Sequence, residues 1–345
     1  MESQFIAWLR GRLPPHPLLR LGPGDDAAVL DMSGIEGCVV TVDLLSDHVD
    51  FELSAADPRR VGRKALAVNL SDLAAMAAQP LAAVVALLLP REGGLRLAVE
   101  LYEGLLPLAE RFGVAIAGGD TNSWDGPLAI SVTLLGKTAG RGPLRRAGAR
   151  PGDRILVTGA FGGSLLGRHF DFEPRVAEAL LLNEQYELHA GIDVSDGLAL
   201  DLSRVAAESG CGAVVQTGAV PISPDAVRAA HEQPDGRTPL DHALGDGEDF
   251  ELILAVPPAE AQRLLADQPL AVPLRTGESM SVACRTATPG RLAGQECPAY
   301  VAKPTGIPSP VLTDIGEFIA EPGLWQSDAR GRRPLPVQGW EHKLT

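Results

Sequence analysis

The sequence predicts an α/β (α+β) protein of two domains, in which short strands alternate with helices. A chain of 345 residues is about twice the usual domain length. Apolar runs of strand length alternate with runs of helical periodicity in both halves. A Gly-, Pro- and Arg-rich segment at 140–152 has no apolar period and separates them. We therefore predict an N-terminal domain at 1–140 and a C-terminal domain at 150–345.

The N-terminal half is expected to begin with a strand at 38–43, where valines recur. Asp57 and Pro58 predict a helix start, with Asp57 as N-cap and Pro58 at the first helical position. Pro80 predicts the end of this helix near residue 78, because the residue before a proline disfavours helix. The other expected elements are strands at 81–89, 114–117 and 128–136 and a helix at 95–112.

The C-terminal half has the same alternation of short elements. The segment after Phe161 is expected to lead through two glycines into a helix. We expect strands at 154–158, 192–194 and 250–256, a helix at 198–208, and loops at 285–310 and 330–336.

The composition excludes several classes of protein. With 45% hydrophobic residues the chain can bury a sizeable core, which excludes disordered, fibrous and disulfide-scaffold proteins. The 30 Lys and Arg against 44 Asp and Glu give a net charge of −14, and aromatic residues make up only 4%, so no nucleic-acid partner is expected. If the protein binds phosphates, metal ions must help it do so.

No membrane segment or export signal is expected either. The most apolar stretch, 81–89, is too short to cross a bilayer, and the N-terminus lacks the apolar run of a signal peptide. No C-x-x-C pair occurs, which argues against a zinc site and fits reduced thiols in the cytoplasm. The four cysteines are Cys38, Cys211, Cys284 and Cys297.

The informative feature is the placement of the acidic residues. Asp43 and Asp120 are expected to end strands, and Asp193 lies at a strand-to-helix turn. Carboxylates at strand ends and glycine-rich turns can converge in a cleft at one edge of a sheet. The further members of this set are Asp25, Asp26, Asp72, Asp196, Glu248 and Asp249.

Asp72 is the sharpest case. It continues the helical spacing of Val61, Ala65 and Val68, so its carboxylate points along the apolar stripe of its helix. A lone carboxylate buried there is strongly disfavoured unless it is paired or bound to metal. The alternative is that Asp72 caps a new helix after a break at Ser71.

Convergence of these carboxylates would require cations. Two carboxylates about 4 Å apart repel by about 4 kcal/mol at an effective dielectric of 20, unless one is protonated. Oxygen-only ligands favour Mg²⁺, Mn²⁺ or Ca²⁺ over zinc. Each aspartate alone is better explained as a turn or cap residue. Only the whole set favours a metal site.

Three glycine patterns bear on nucleotide binding. Residues 22–27 fit G-x-G-x-x-[GA], but no clean strand precedes them and paired aspartates would repel a pyrophosphate, so we reject a dinucleotide fold. No P-loop pattern occurs, so ATP would need another kind of site. Residues 159–163 could cradle a phosphate through backbone N–H groups or form a simple tight turn.

Taken in order, these segments resemble the thiamine-phosphate kinase family of the aminoimidazole ribonucleotide synthetase-like superfamily. The resemblance runs from about residue 17 to 256, with a thin match, GWEH, at 339–342. The matching segments are GPGDDAAVL (22–30), TVDLLSDHVDF (41–51), KALAVNLSDLAAMAA (64–78), GGDTN (118–122), RRAGARPGD (145–153), IDVSDGLALDL (192–202) and GEDFELIL (247–254).

The resemblance implies a homodimer in which the N-terminal domains pair through their sheets, with active sites near that interface. The implied reaction is ATP with thiamine phosphate giving ADP and thiamine diphosphate, by in-line transfer with several Mg²⁺ ions and no general base. Implied metal ligands are Asp26, Thr41, Val42, Asp43, Asp72, Asp120, Asp193 and Asp196. Implied ATP contacts are Tyr102, Gly119, Asp120, Arg146 and Ser195, and implied thiamine-phosphate contacts are Asp50, Glu248 and Trp340.

Three positions depart from the family pattern. Asp50 stands where the family usually has a His, and it cannot replace a donating imidazole unless it is protonated or metal-bound. We expect His48, two residues earlier, to share the strand face of Asp50, where it could compensate. Val42 replaces a Thr at a position where the backbone carbonyl suffices, and Trp340 replaces a Tyr but can still stack.

Two alternatives to the kinase remain. The first is a superfamily relative that uses ATP to activate a different small molecule, which the change at Asp50 motivates. The second is a non-catalytic module that binds metal and nucleotide.

Overall fold

The computed structural model describes residues 8–9, 11–21, 29–232, 235–270 and 311–340. Its strands form a four-stranded sheet, a seven-stranded sheet and a short antiparallel pair of β1 (Leu19–Leu21) and β2 (Val29–Leu30). Helices pack on both larger sheets, so the predicted α+β class is confirmed.

The four-stranded sheet belongs to the N-terminal half, and its strands follow the order β3-β6-β4-β5. β4 and β5 are parallel, and the other neighbours are antiparallel. One face is covered by helices. On the other face, which we call the open face, Leu18, Leu19 and Leu30 pack against one end of the sheet, and the rest of it is at least partly exposed among the described residues. The elements are β3 (Cys38–Ser46), α1 (Pro58–Ala75), β4 (Ala78–Pro90), α2 (Gly94–Arg111), β5 (Ala115–Trp124) and β6 (Ala129–Thr138).

Helix α1 begins as predicted. The Asp57 side chain accepts a hydrogen bond from Arg59 N at 2.9 Å, and Pro58 is the first helical residue. The helix continues unbroken through Ser71, so the interpretation of Asp72 as the cap of a second helix is wrong.

Strand β4 starts earlier than expected, because Ala78 already pairs with Thr138 of β6. Pro80 therefore lies within the strand, beside an irregularity in its pairing with β6, where a residue without an N–H is tolerated. β5 follows β4 in parallel as far as Trp124. Asp120 consequently lies inside a strand, and the expectation that it ends one is wrong.

Helices α1 and α2 approach each other closely at two glycines. A Cβ on Gly62 would lie 1.9 Å from Leu101 O, and one on Gly104 would lie 1.7 Å from Arg59 O. Only glycine permits this backbone contact. It places α1 under the covered face of the sheet, where it also contacts elements of the C-terminal half.

The seven-stranded sheet belongs to the C-terminal half and has the order β13-β12-β9-β11-β7-β10-β8. Only β12 and β9 are parallel neighbours. The elements are β7 (Arg154–Thr158), α3 (Arg168–Asp171), α4 (Val176–Gln185), β8 (Ala190–Asp193), α5 (Leu198–Glu208), β9 (Gly212–Gln216), α6 (Pro224–Glu232), α7 (Pro239–Gly245), β10 (Leu252–Val256), α8 (Pro258–Asp267), β11 (Leu312–Ile319), β12 (Gly323–Asp328) and β13 (Gly331–Pro334).

The predicted strand at 154–158 and helix at 198–208 are confirmed at both ends. The loop expected at 330–336 is wrong, because β13 pairs with β12 there, whereas 285–310 lies outside the described residues. The helix expected after Phe161 is only a short 3₁₀ turn, Ser164–Leu166, followed by α3.

Two backbone amides of the glycine turn at 159–163 donate to carboxylates. Gly162 N donates to Asp249 Oδ1 and Oδ2 at 2.9 and 3.0 Å, and Gly163 N donates to Asp246 Oδ2 at 2.8 Å. These two amides are therefore already paired within the protein, which favours the tight-turn interpretation over a phosphate cradle.

No helix in the part of the chain that the structure describes is both long and apolar enough to cross a membrane.

Candidate active site

Carboxylates from both halves meet where α1 contacts the C-terminal sheet. Asp43 lies on β3, Asp72 in the last turns of α1 and Asp193 at the end of β8. Asp43 pairs in register with Val132, which is 1% exposed, so its side chain points to the covered face of the sheet. We call these three residues the carboxylate cluster.

Two hydroxyl groups orient the carboxylate cluster. Thr41, on the same face of β3 as Asp43, donates a hydrogen bond to Asp72 Oδ2. Ser71 Oγ donates to Asp193 Oδ2 at 2.6 Å, and this bond joins the two halves of the chain. Ser71 and Asp72 are consecutive residues. The same turn of α1 therefore carries one carboxylate of the cluster, Asp72, and binds a second, Asp193, through Ser71.

The charges of the carboxylate cluster are mutually unfavourable. Burial, followed by the charges of Asp72 and Asp50, raises the pKa of Asp43 to about 7. Burial also raises the pKa of Asp72, although the Thr41 hydrogen bond opposes this rise. The pKa of Asp193 is raised by burial and then by the charge of Asp72. The protein alone therefore favours protonation of these groups.

The donor set suits a hard divalent cation. Asp43 Oδ2 is buried and has no hydrogen-bond partner among the residues that the structure describes, which is costly unless another group satisfies it. Carboxylate and hydroxyl oxygens are the ligands that Mg²⁺ and Mn²⁺ prefer. A different group, Asp47, His48 and Glu52, is the one among the described residues whose ligand atoms all lie within 4.8 Å of one another, but two of its members are exposed.

A cavity of about 460 Å³ opens beside the carboxylate cluster. Arg146 lines it together with Asp72 and Asp193, and its charge opposes the rise in the pKa of Asp72. The segment that carries Arg146 is held on both sides. Leu144 N donates to Met76 O at 3.0 Å, and Gly191 N donates to Arg145 O at 2.9 Å. The interdomain linker thus presents a guanidinium to the cavity.

A second acidic pair lies next to the carboxylate cluster. The Asp50 carboxylate accepts from Ser46 N at 2.7 Å and contributes to the raised pKa of Asp43. It also raises the pKa of Glu248, although burial is the larger cause there. Glu248 receives a hydrogen bond from Lys64 Nζ at 2.6 Å.

The expectation for His48 is wrong. Strand β3 ends at Ser46, and His48 lies in the following turn with φ 72°, so strand alternation does not relate it to Asp50. Its side chain is 64% exposed and its Nδ1 lies 3.0 Å from Glu52 Oε2. His48 therefore does not supply the missing imidazole in this conformation.

The loop after β8 continues from Asp193 and contacts both Glu248 and the segment near the C-terminus. The Asp196 carboxylate pairs with Arg204, and Ser195 O accepts from Glu248 N at 2.7 Å. Trp340 N donates to Asp196 O at 2.8 Å, so the segment near the C-terminus reaches the same loop. The Trp340 residue is 57% exposed.

Other candidate residues lie away from the carboxylate cluster. Asp120 is in register with Ala86 on the open face of the sheet, and its carboxylate accepts from Thr121 N. Gly119 lets β5 approach β4, since a Cβ there would lie 1.9 Å from Val85 O. Candidates not yet placed are Val42, 61% exposed on the open face, Tyr102, 2% exposed in the helix layer, and Asp26, outside the described residues.

Sequence reasoning missed Lys64 and Ser71. Lys64 is fully buried, and the available signal was its position on the apolar spacing of Val61, Ala65 and Val68. Ser71 gave no such signal, because its partner Asp193 lies 122 residues away in the chain.

Known proteins similar to this chain share both halves of it. Residues 24–138 match the family described as AIR synthase related protein, N-terminal domain, and 150–268 match its C-terminal domain. The thiamine-monophosphate kinase of Rhodopirellula baltica is 49% identical over 270 residues, which cover 76% of this chain and 84% of that protein. The enzyme of the same name from Caulobacter vibrioides is 36% identical over 282 residues, covering 75% and 78%.

Solved structures give the same result. The thiamine-monophosphate kinase of Stenotrophomonas maltophilia has a TM-score of 0.68 at 30% identity and covers 94% of each chain. AaThiL, crystallised with AMPPCP and TMP, also has a TM-score of 0.68, at 22% identity, covering 99% of this chain and 96% of that one. Escherichia coli HypE, a hydrogenase maturation protein, reaches 0.72 at 19% identity, covering 98% of each, so it shares the fold.

Proposed function

The chain belongs to the thiamine-monophosphate kinase family of the AIR synthase related proteins, and we propose that the carboxylate cluster is its reaction centre. The enzyme transfers the γ-phosphoryl group of ATP to thiamine monophosphate, giving thiamine diphosphate and ADP.

The chemistry of this transfer suits an acidic site without a general base. The attacking phosphate oxygen of thiamine monophosphate is already ionised at neutral pH. The site must align two polyanions and neutralise the charge between them. The observation that carries the proposal is the meeting of Asp43, Asp72 and Asp193 from both halves, with one Asp43 oxygen left without a partner.

Several Mg²⁺ ions fit this donor set. The residues that would hold them are Thr41, the carbonyl of Val42, Asp43, Asp72, Asp193 and Asp196, with Asp26 as a further ligand. Asp120, on the open face of the sheet, would hold an ion outside the carboxylate cluster. When bound, Mg²⁺ supplies the positive charge that lets two phosphates approach. Thr41 and Ser71 orient the carboxylates by donating hydrogen bonds to them.

Arg146 is the direct cation for the ATP phosphates. Its segment is pinned between α1 and β8, and its guanidinium lies in the same cavity as Asp72 and Asp193. Gly119, Asp120, Ser195 and Tyr102 would add ATP contacts. Tyr102, as the most buried of these, requires a local rearrangement to reach a nucleotide.

Thiamine monophosphate would lie between Asp50, Glu248 and Trp340. Its thiazolium ring is a cation, and a carboxylate and an indole face are both suitable partners for it. Asp50 and Glu248 come from different halves, so the acceptor would bind across the same cleft as the carboxylate cluster.

The protein would act as a homodimer through the open face of the four-stranded sheet. Val40, Val42 and Leu44 are 59%, 61% and 66% exposed on this face, an apolar row that pairing would cover. Asp120 shares the face and would lie in that interface. Within each subunit, 1–140 would form the N-terminal domain and 150–345 the C-terminal domain. The enzyme would act in the cytoplasm, where its co-substrate ATP is found.

A different acceptor is the second candidate function. Asp50, where the family usually has a His, is the observation that favours it. Such a relative would turn over ATP with another small molecule and make no thiamine diphosphate.

The test is an assay of the purified full chain with ATP, MgCl₂ and thiamine monophosphate. We expect thiamine diphosphate and ADP in equal amounts, and no product when EDTA removes the divalent cations. ATP turnover with another acceptor, without thiamine diphosphate, would favour the second candidate. Nucleotide binding without turnover would favour the non-catalytic module.

A further inference from the structure

Lys64 is a fully buried cation whose side chain has two specific partners. Its exposure is 0%, and its Nζ donates to Glu248 Oε1 at 2.6 Å and to the backbone carbonyl of Asp50 at 2.9 Å. Nζ also lies 5.6 Å from the centre of the Phe170 ring. An ammonium group is costly to bury unless it is paired, so its position is specified by these contacts.

These two partners come from different halves of the molecule. Lys64 and Asp50 belong to the N-terminal half, whereas Glu248 precedes β10 in the C-terminal half. Lys64 therefore fixes the distance between Asp50 and Glu248, the two acidic residues that border the proposed acceptor site.

Glu248 is held at its backbone as well as at its carboxylate. Its φ is 52°, in the left-handed region that non-glycine residues rarely adopt. Its N–H donates to Ser195 O at 2.7 Å, and Phe250, also at positive φ, donates from N to Val194 O at 2.8 Å. Strained backbone of this kind persists where the surroundings determine it, commonly at ligand sites.

Within the described part of the chain, no Lys or Arg pairs with the other oxygen of Glu248. Glu248 Oε2 lies 3.4 Å from His169 Nδ1, and burial, followed by the charges of Lys64 and Arg60, lowers the pKa of His169 to about 3. His169 is therefore a neutral imidazole at neutral pH. The Glu248 side chain remains 23% exposed, so the carboxylate keeps an accessible side.

We propose that Lys64 is a positioning residue that holds Glu248 and Asp50 in place for thiamine monophosphate, and so sets the affinity for the acceptor without affecting ATP. This inference rests on the proposed function. Lys64 itself would not touch either substrate, because both its hydrogen bonds are internal and its side chain is inaccessible.

The test is Lys64→Met, which keeps much of the side-chain length and removes the charge. We expect the KM for thiamine monophosphate to rise about tenfold or more, and the KM for ATP to change by less than about twofold. The matched control is Arg63→Met on the same helix. Arg63 also bridges the halves, by bonds of 2.9 and 2.7 Å to Phe170 O and Phe172 O, but does not contact Glu248 or Asp50. It should leave both KM values unchanged.

A double-mutant cycle separates positioning from general stability. Lys64→Met and Glu248→Gln together leave no unpaired charge, so this variant tests the idea if Lys64→Met alone fails to fold. If Lys64 positions Glu248, Lys64→Met should raise the KM for thiamine monophosphate much less in the Glu248→Gln background than in the wild type, and the remaining rise is the part that acts through Asp50.

The outcomes distinguish the two claims. A wild-type protein that makes no thiamine diphosphate would overturn the proposed function and this inference together. An active wild type would leave only the inference at stake. It would be overturned by equal changes in the two KM values, by an unchanged acceptor KM, or by additive effects in the cycle.

Discussion

Glu251 and the carboxylate cluster differ in the hydrogen-bond and charged partners that surround them. Glu251 is 4% exposed and receives Arg175 Nε at 2.8 Å, Arg175 Nη2 at 2.5 Å and Thr158 Oγ1 at 2.6 Å. The carboxylate cluster receives hydrogen bonds from two hydroxyl groups, and one buried oxygen of Asp43 has no hydrogen-bond partner in the described ranges of the chain. Both are buried, so burial does not distinguish them. What distinguishes them is whether an arginine of the same chain neutralises the carboxylate, as Arg175 does for Glu251.

The largest expected effect comes from Asp72→Asn. Turnover should fall about 100- to 1000-fold, because the site loses charge where the two phosphates must be neutralised. The metal-free protein should be as stable as the wild type or more stable, because one of several repelling charges is gone. Thiamine diphosphate formation and denaturant unfolding in EDTA measure the two effects. Near-normal turnover would remove Asp72 from the reaction centre.

Glu251→Gln should show the opposite pattern. It removes the two shortest charged contacts of buried Arg175 and leaves it, among the described residues, only Glu178 at 3.7 Å, which we expect to cost about 3 kcal/mol of unfolding free energy. The kcat of the folded protein should stay near that of the wild type. Glu317→Gln is the matched control, since Glu317 is 50% exposed and pairs with Arg154 at 3.4 Å, and should cost less than about 1 kcal/mol. Equal losses of unfolding free energy in the two variants would contradict the claim that the buried pair of Glu251 with Arg175 matters more for stability than the exposed pair of Glu317 with Arg154.

Added Mg²⁺ should stabilise the wild-type protein by about 2.7 kcal/mol at a concentration of 100 times its Kd. Asp43→Asn should lose much of this gain, because it removes a ligand from the carboxylate cluster. Glu52→Gln changes the exposed group of Asp47, His48 and Glu52 and should keep the gain. Thermal unfolding with and without MgCl₂ measures both. If Mg²⁺ stabilised Asp43→Asn as much as the wild type but no longer stabilised Glu52→Gln, the metal would bind at the exposed group and not at the carboxylate cluster.

The last prediction concerns pH and His169. Its pKa falls from 6.5 to about 3 on folding, chiefly through burial. The unfolded chain therefore binds this proton at a higher pH than the folded protein does. Protonation of His169 costs no folding stability above about pH 6.5, and the free energy of unfolding declines as the pH falls from there towards 3. His169→Gln should weaken the loss of stability over that range, and the exposed His231→Gln should not. Parallel pH profiles for wild type and His169→Gln would contradict this assignment.

Local patterns were enough to predict the parts of the fold that depend on nearby residues. The start of α1 follows from Asp57 and Pro58, and the orientation of Asp72 from helical spacing. Helix α5 begins and ends at the residues expected from the sequence. Each of these depends on interactions within a few residues along the chain.

Features that depend on pairing between distant segments could not be predicted in this way. Asp120 lies inside β5 because pairing with β4 continues to Trp124, which the glycines before Asp120 do not reveal. Lys64 lies in a segment that carries the family resemblance, but its partner Glu248 is 184 residues away in the chain. The contact of Ser71 with Asp193 likewise forms only when α1 packs on β8.

Anomalous diffraction from crystals grown with Mn²⁺ and a non-hydrolysable ATP analogue would test the central claim most directly. We predict Mn²⁺ peaks bound by Asp43, Asp72 and Asp193, with the nucleotide phosphates beside Arg146. Peaks bound elsewhere, with these three carboxylates unliganded while the nucleotide is in place, would contradict the account.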